Sequence, residues 1–364
     1  MLKVIAFYLP QYHPVPENDL WWGRGFTEWT NVAKARPLFK GHYQPHLPGE
    51  LGFYDLRLPE VRNAQAEMAQ RFGIDAFCYY HYWFNGRRVL ERPFSEVFAS
   101  GKPDYPFCLC WANENWTRAW DGGDAHILLK QKYSPEDDRR HIRQLLPAFE
   151  DRRYLRVNGK PLFLVYRTEL LPDPRATAEI WREEAWKAGL GAIYLARVES
   201  KEDGIHPTSI GFDAAVEFAP DWRNMGGGRS DNIIWNILRK LRLLAPEIRD
   251  NRLLEYDTLA KAMTMKKDPG YIWFRCVCPS FDNSARRRTQ AAIYYNATPE
   301  VYGEWLCEVL VQTIANRQPG ERLVFVNAWN EWGEGCHLEP DQKWGDAFLR
   351  ATREAKERGQ MCHR

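Results

Sequence analysis

The sequence predicts an α/β fold, a (β/α)8 barrel of the TIM type, and three observations carry that prediction. Eight short apolar runs, each suited to a buried strand, recur along the 364 residues, and helical periodicity fills most of the intervals between them. Strands that alternate with helices pair in parallel, and eight such units close a barrel. A doubly wound open sheet would show a glycine fingerprint after its first strand, whereas the first run here ends in Pro10-Gln-Tyr-His-Pro14. No repeat with a period of about 20–50 residues is visible, which argues against solenoids and propellers.

The elements follow in order. Leu2–Leu9 reads as strand one, and a long first βα loop rich in Trp, Gly and Pro runs from there to about Pro59. Its aromatic content suits an ordered wall, and its Trp21–His46 part is expected to cover the mouth of the barrel. Pro59–Phe72 is helical, opened by Pro and stopped by Gly73. Ile74–Tyr80 is strand two and Pro106–Trp111 strand three, with a short helix near Phe94–Ser100 between them. Ser134-Pro-Glu-Asp137 caps a helix that runs to about Glu150. Pro161–Tyr166 is strand four, Arg175–Gly189 a helix, Ala192–Arg197 strand five and Ala214–Phe218 strand six. A helical insertion at about 221–270 separates strands six and seven, with a Gly226-Gly-Gly228 hinge and a basic amphipathic helix over Asn232–Leu244. Ile272–Val277 is strand seven, Thr298-Pro-Glu300 caps another helix, Leu323–Asn327 is strand eight, and Asp346–Arg358 closes as a polar helix. The whole of 1–364 is expected to form a single barrel domain.

Composition narrows the function. Fifty basic and 48 acidic residues leave a formal net charge of +2, which argues against nucleic acid as the partner. The basic clusters Arg239–Arg242 and Arg286–Arg288 read as solvated surface. No run reaches the ~18–20 apolar residues of a membrane helix, and strand one begins too soon for a signal peptide, so a cytoplasmic protein with no membrane insertion is expected. Eight Cys fit that compartment as reduced thiols. Cys108/Cys110 and Cys276/Cys278 alternate along strands without the usual zinc spacing, so neither metal nor cofactor is expected.

Two segments carry the chemistry. Trp111-Ala-Asn-Glu-Asn-Trp116 follows strand three and Trp329-Asn-Glu-Trp-Gly-Glu334 follows strand eight, so each strand delivers an Asn-Glu pair between indoles. Paired carboxylates with aromatic walls suit sugar chemistry: rings pack on pyranose faces, amides and Arg bond hydroxyls, and two carboxyl groups flank a glycosidic bond. The C-terminal ends of all barrel strands should meet at one mouth. Tyr8, Gln11, His81, Trp83, Trp111, Asn113, Tyr166, Arg197, Glu217, Asp282 and Asn330 are placed there with Glu114 and Glu331. Glu28, Trp29 and His42 are expected from the first loop, with Trp116, Arg118, Arg286, Trp329, Trp332 and Glu334 completing a substrate-binding set.

These motifs resemble a known family. Phe7–Pro14, Gly25–Thr30, His42–His46, Tyr79–Phe84, Trp111–Trp116 and Asn330–Gly335, six ordered blocks across nearly the whole chain, are similar to the WbsX-type, glycoside hydrolase family 99-like proteins. The resemblance implies a (β/α)8 barrel acting on oligosaccharide or polysaccharide, of the kind tied to bacterial surface polysaccharide and lipopolysaccharide biosynthesis. Retaining endo-α-mannosidases of family 99 are similar at a greater distance, through the Asn-Glu-Trp-x-Glu-Gly pattern matched by Asn330–Gly335.

The expectation is thus a two-carboxylate glycosidase or transglycosidase. Glu114 is assigned as proton donor, its pKa raised by Trp111 and Trp116, with Asn113 ordering a sugar hydroxyl. Glu331 is assigned as nucleophile or base, kept ionised by Arg286 or His81, with Glu334 as the alternative second carboxylate. Glu28, Glu217 and Asp282 would bond hydroxyls, and Trp29, Trp329 and Trp332 would floor subsites. A polysaccharide glycosyltransferase would need a metal-binding Asp-x-Asp, to which Asp121-Gly-Gly-Asp124 comes nearest, or a nucleotide-binding half, which is not seen. A non-catalytic carbohydrate-binding barrel would use the same indoles without paired carboxylates.

Overall fold

The computed structural model describes residues 2–118, 123–223, 233–287 and 289–361. Eight parallel strands close a barrel: β1 (Lys3–Tyr8), β2 (Ala76–Phe84), β3 (Phe107–Trp111), β4 (Lys160–Val165), β5 (Tyr194–Glu199), β6 (Ala214–Glu217), β7 (Trp273–Val277) and β8 (Leu323–Val326). The hydrogen-bonded order runs β1-β8-β7-β6-β5-β4-β3-β2, and β2 pairs back onto β1 with Ile5 against Ala76 and Tyr8 against Tyr79. Every residue of β2, β3 and β5 is buried, as parallel strands covered on both faces require.

Side chains of period two divide between lumen and helices. Phe7, Tyr80, Phe218 and Phe325 meet inside, where the Phe7 ring stacks on Tyr80 at 5.5 Å and lies 5.4 Å from Phe325. Alternate strand residues turn outward, as Phe163 does against Trp181 at 5.4 Å. The outer layer comprises α1 (Pro59–Arg71), α2 (Arg92–Ser100), α3 (Pro135–Glu150), α4 (Pro174–Lys187), α5 (Tyr256–Thr264), α6 (Pro299–Asn316) and α7 (Ala347–Met361). Ser134, Asp173 and Thr298 cap α3, α4 and α6 by accepting from the backbone N–H three residues on, each with Pro at the first helical position.

Two expected boundaries move. Strand two continues to Phe84 instead of opening into a loop at His81, because Tyr82–Phe84 pairs with Arg87–Val89 in a hairpin. Between β5 and β6, an interval assigned no helix from the sequence, the chain forms a 3-10 turn, Pro207–Ile210. In the insertion, the described helix spans Ile233–Lys240, and Arg252–Glu255 pairs with Ala292–Tyr295 before α5 packs back. The expected hinge Gly226–Gly228 lies outside the described residues.

The first loop holds two short helices, Pro16–Trp22 and Trp29–Lys34. Its far end is sewn to the chain after β8: Gly49 N–H donates to Pro340 O at 2.7 Å, and Gln342 N–H to Leu47 O at 2.9 Å. That stitching holds the loop on the barrel face where the strands end.

Candidate active site

The two Asn-Glu pairs divide their labour in the same way. Asn330, just past β8, accepts from Leu9 N–H at 2.7 Å and donates to Leu9 O at 3.0 Å. Asn113, just past β3, accepts from Arg167 N–H at 2.8 Å and donates to Arg167 O at 2.8 Å. Each amide therefore pins the end of the neighbouring strand, β1 or β4, and neither is free to order a sugar hydroxyl. What the clamp achieves is to fix the carboxylate next to it. Glu331 and Glu114 both line a cavity of about 190 Å³ at the mouth, with Glu334, Gln11, Tyr80, Tyr82, Trp116, Tyr166, Phe218 and Asn327.

One guanidinium organises the Glu331 side. Arg286 donates from Nε to Glu28 Oε1 at 2.7 Å, from Nη2 to Glu331 Oε2 at 2.9 Å, and from Nη1 to Glu334 Oε1 at 2.7 Å. Burial opposes the charge on Arg286, but its three carboxylates together raise its pKa. The expectation of Arg286 as solvated surface therefore fails. Gly333 makes the cluster possible, since a Cβ there would sit 2.0 Å from Glu28 Oε1 and 2.7 Å from Arg286 Nε.

Burial pushes the Glu331 carboxyl up, Arg286 pulls it down, and Glu334 and Glu28 push it up again; the outcome is a rise to about 8. One cation is thus shared among three carboxylates, and burial sets the direction of the Glu331 shift. Glu114 differs: its side chain is 43% exposed and pairs with Nη1 of Arg167. Burial raises the phenols of Tyr80, Tyr82 and Tyr166, so they stay protonated and able to donate. Trp116 stands against Tyr82, Phe84 and Trp21, the last contact bringing the first loop to the mouth.

Several expected site residues face the helices instead. Tyr8 donates to Gln65 of α1 at 2.7 Å. His81 meets His141 of α3 across 3.0 Å, and burial lowers its pKa to about 3, so it offers Glu331 nothing. Trp83 donates to Asp137 of α3 at 3.0 Å, and Trp111 packs on His141 and on Trp181 of α4, away from Glu114. Arg197 bonds Glu202 O and Ile205 O. Glu217 pairs with Arg275 at 2.8 Å and Lys266 at 3.2 Å behind the barrel wall. The common cause is the pleat: Tyr8, His81, Trp83, Trp111, Arg197 and Glu217 take the outward face of their strands, alternating with neighbours such as Phe7 and Tyr80 that fill the lumen.

The remaining indoles are core. Trp29 donates to Tyr54 O at 2.7 Å, Trp332 donates to Glu339 at 2.7 Å and stacks on His337, and Trp329 packs against Phe77. Glu28 is fully buried beneath Arg286. Asp282 and His42 line a second, larger cavity beside the mouth, where His42 Nε2 meets Asp282 Oδ2 at 2.6 Å. Leu38 N–H donates to His42 Nδ1, so Nε2 carries the proton and donates. Burial works to raise the Asp282 carboxyl, but His42 and Ser284 hold it below its ordinary value. The Arg118 side chain and Asp121 lie outside what the structure describes.

Sequence reasoning missed Tyr80, Tyr82, Phe218, Asn327 and the Glu114 partner Arg167. Tyr80 and Tyr82 alternate with His81 and Trp83 along one strand, so the pleat carries a signal for them; Arg167 has no local signal.

The family model described as Glycosyltransferase WbsX matches residues 4–352. The chain belongs to that family. It is 46% identical over 352 residues to the WxcX protein of one Xanthomonas campestris pv. campestris strain and 45% identical to that of strain B100. These alignments take in 97% of this chain and 49% of each relative, so the chain spans about half their length. A solved glycoside hydrolase-like protein superposes with a TM-score of 0.61 at 14% identity, covering 97% of this chain and 93% of its own. A family 99 endo-α-mannosidase from Bacteroides thetaiotaomicron does so with a TM-score of 0.57 at 16% identity, covering 98% and 97%. At such identities the WbsX chain and these structures share the barrel fold. Among the described residues no helix is long and apolar enough to cross a membrane.

Proposed function

We propose that this WbsX chain is a carbohydrate-active enzyme that cleaves or transfers a glycosidic bond at the barrel mouth. The observation that carries the reading is the pair of unlike carboxyl environments in one cavity: Glu331, buried and raised to about 8, and Glu114, half-exposed against Arg167. Two carboxyl groups in unlike surroundings can divide the roles of acid and base. Glu331 gives its proton to the departing glycosidic oxygen as the bond to the anomeric carbon breaks. Glu114, three strands round the ring, meets the developing positive charge or takes the proton of the incoming hydroxyl. Trp116 and the three tyrosines supply a sugar-facing wall. Water as acceptor gives hydrolysis and a sugar hydroxyl gives transfer, the outcome that the family description favours.

A second assignment rests on its own observation. Glu334 and Glu331 hang on the two terminal nitrogens of one guanidinium, which makes them neighbours on the scale of the roughly 5 Å separation of retaining glycosidases. Glu→Gln variants at 114, 331 and 334 separate the two. Loss of a general acid costs about 10²-fold or more on a natural glycan and much less on a nitrophenyl glycoside, whose leaving group needs little protonation. That pattern is expected for Glu331→Gln. Glu114→Gln should stay slow on both substrates; if Glu334→Gln does so instead, Glu334 is the partner. Wild-type turnover of all three variants would end the carboxylate mechanism, and turnover strictly dependent on an added nucleotide sugar would make the donor a nucleotide.

A further inference from the structure

Beside the mouth, and apart from the proposed catalytic groups, lies a cavity of about 390 Å³ whose wall includes Tyr43, His46, His337, Asp341 and Lys343. Among the described residues His46, His337 and Asp341 form a set whose ligand atoms all lie within 4.8 Å of one another, each residue buried. His46 comes from the end of the first loop; His337 and Asp341 come from the segment after Glu334. We propose that these three side chains bind a divalent transition-metal ion, with zinc the best match, and that the ion fastens the first loop to the segment carrying the mouth carboxylates.

The donor chemistry is right for such an ion. Two imidazole nitrogens and one carboxylate oxygen, with a further position open to a cavity, make up a familiar zinc ligand set. Metal-bound histidines commonly donate their other ring N–H to a carbonyl. His337 does so already: its Nδ1 lies 2.9 Å from Glu339 O, an atom that only accepts, so Nε2 is left with its lone pair. Burial lowers both His46 and His337, so neither needs to lose a proton near neutral pH before coordinating. Asp341 is held from behind, its Oδ1 accepting from Lys343 N–H at 3.0 Å and Trp344 N–H at 2.6 Å, which turns Oδ2 toward His337.

The distances bracket a metal centre. Bonds of about 2.0–2.2 Å on a tetrahedral ion put donor atoms about 3.3–3.6 Å apart. Here His46 Nδ1 and His337 Nε2 are 2.9 Å apart, and Asp341 Oδ2 is 4.0 Å from His337 Nε2. Shifts of about half an ångström bring both of these separations to the tetrahedral range, and all three ligand atoms already lie within 4.8 Å of one another. The rival is a direct hydrogen bond between two neutral imidazoles.

The test uses the full chain. Metal content after purification is measured, the protein is stripped with chelator, and zinc is returned against a competing chromophoric chelator while cobalt is followed by its visible d–d bands. The expected result is one tightly bound ion per chain, cobalt bands of a low-coordinate nitrogen and oxygen site, and a melting temperature raised by zinc. His46→Gln and Asp341→Asn should each weaken binding at least ~10-fold and abolish the zinc-dependent rise in melting temperature. Wild-type protein that binds neither ion, or variants that bind as wild type does, would leave a direct hydrogen bond only and overturn the proposal. Because none of these residues lines the mouth, either result stands independently of the glycosidase reading, and wild-type binding needs no variant to fold.

Discussion

Replacing Gly333 by Ala tests whether the site is packed as tightly as the geometry says. The added Cβ would lie 2.0 Å from Glu28 Oε1, 3.0 Å from Glu28 Cδ and 2.7 Å from Arg286 Nε. Glu28 is 0% exposed, so its carboxylate has no solvent to retreat into. Relief must come from displacing Arg286, which also holds Glu331 and Glu334. Overpacking of this kind costs about 1–3 kcal/mol, and losing the buried Glu28–Arg286 pair would add to it. A control has the same nominal clash: a Cβ at Gly320 would lie 1.9 Å from Asn158 Oδ1, yet Asn158 is exposed and free to swing away. Thermal melts should show Gly333→Ala lowered by several degrees and Gly320→Ala near wild type, and turnover should fall only in Gly333→Ala. Equal melting temperatures and equal turnover in the two variants would refute the claim that Glu28 and Arg286 are fixed.

Other outcomes follow from the same structure. Glu331 is raised from 4.5 to about 8, so between those values the folded state keeps a proton that the unfolded state has released. Stability from this group is therefore full below about 4.5 and falls as pH rises toward 8. Urea melts across pH should show that decline, flattened in Glu331→Gln; Glu339, raised to about 7, leaves a residual slope. Asn330→Ala strands the buried N–H and C=O of Leu9, costing about 1–3 kcal/mol per group by denaturant melts. Trp111→Ala should cost about 3–5 kcal/mol of stability, whereas Trp116→Ala should mainly raise KM for the glycan; the reverse pattern would mean that mouth and core are misassigned.

Much of the barrel was legible because its signals are local. Apolar runs of five or six residues, Pro at helix starts and the Ser134 and Thr298 caps are written within a few positions of each element. The mouth was only half legible. Glu114, Glu331, Glu334, Gln11 and Trp116 stand where strand-end logic put them, but Tyr8, His81, Trp83, Trp111 and Glu217 do not, because membership of a strand end says nothing about which face of the pleat a side chain takes. Residues 80 and 82 line the mouth while 81 and 83 face α3, a distinction of one position. Arg286 was expected beside Glu331, but not as one cation shared with Glu28 and Glu334 as well. Its partners at 28, 331 and 334 are brought together by the loop after β1 and the turn after β8, and no spacing in the sequence records that meeting. The two Asn residues misled for another reason: an amide beside a carboxylate suits a sugar hydroxyl and a strand-end clamp equally well until the backbone opposite it is known.

The proposed mechanism turns on a proton held by Glu331 near neutral pH, and carbon-13 NMR of protein labelled at the glutamate side-chain carboxyl reads that proton directly. Wild-type protein titrated from pH 4 to pH 10 should show a buried carboxyl changing shift near pH 8, and Glu331→Gln should lack that resonance. If Glu331 instead completes its titration with the exposed glutamates at about 4.3, Arg286 keeps it ionised, and its assignment as the acid is contradicted.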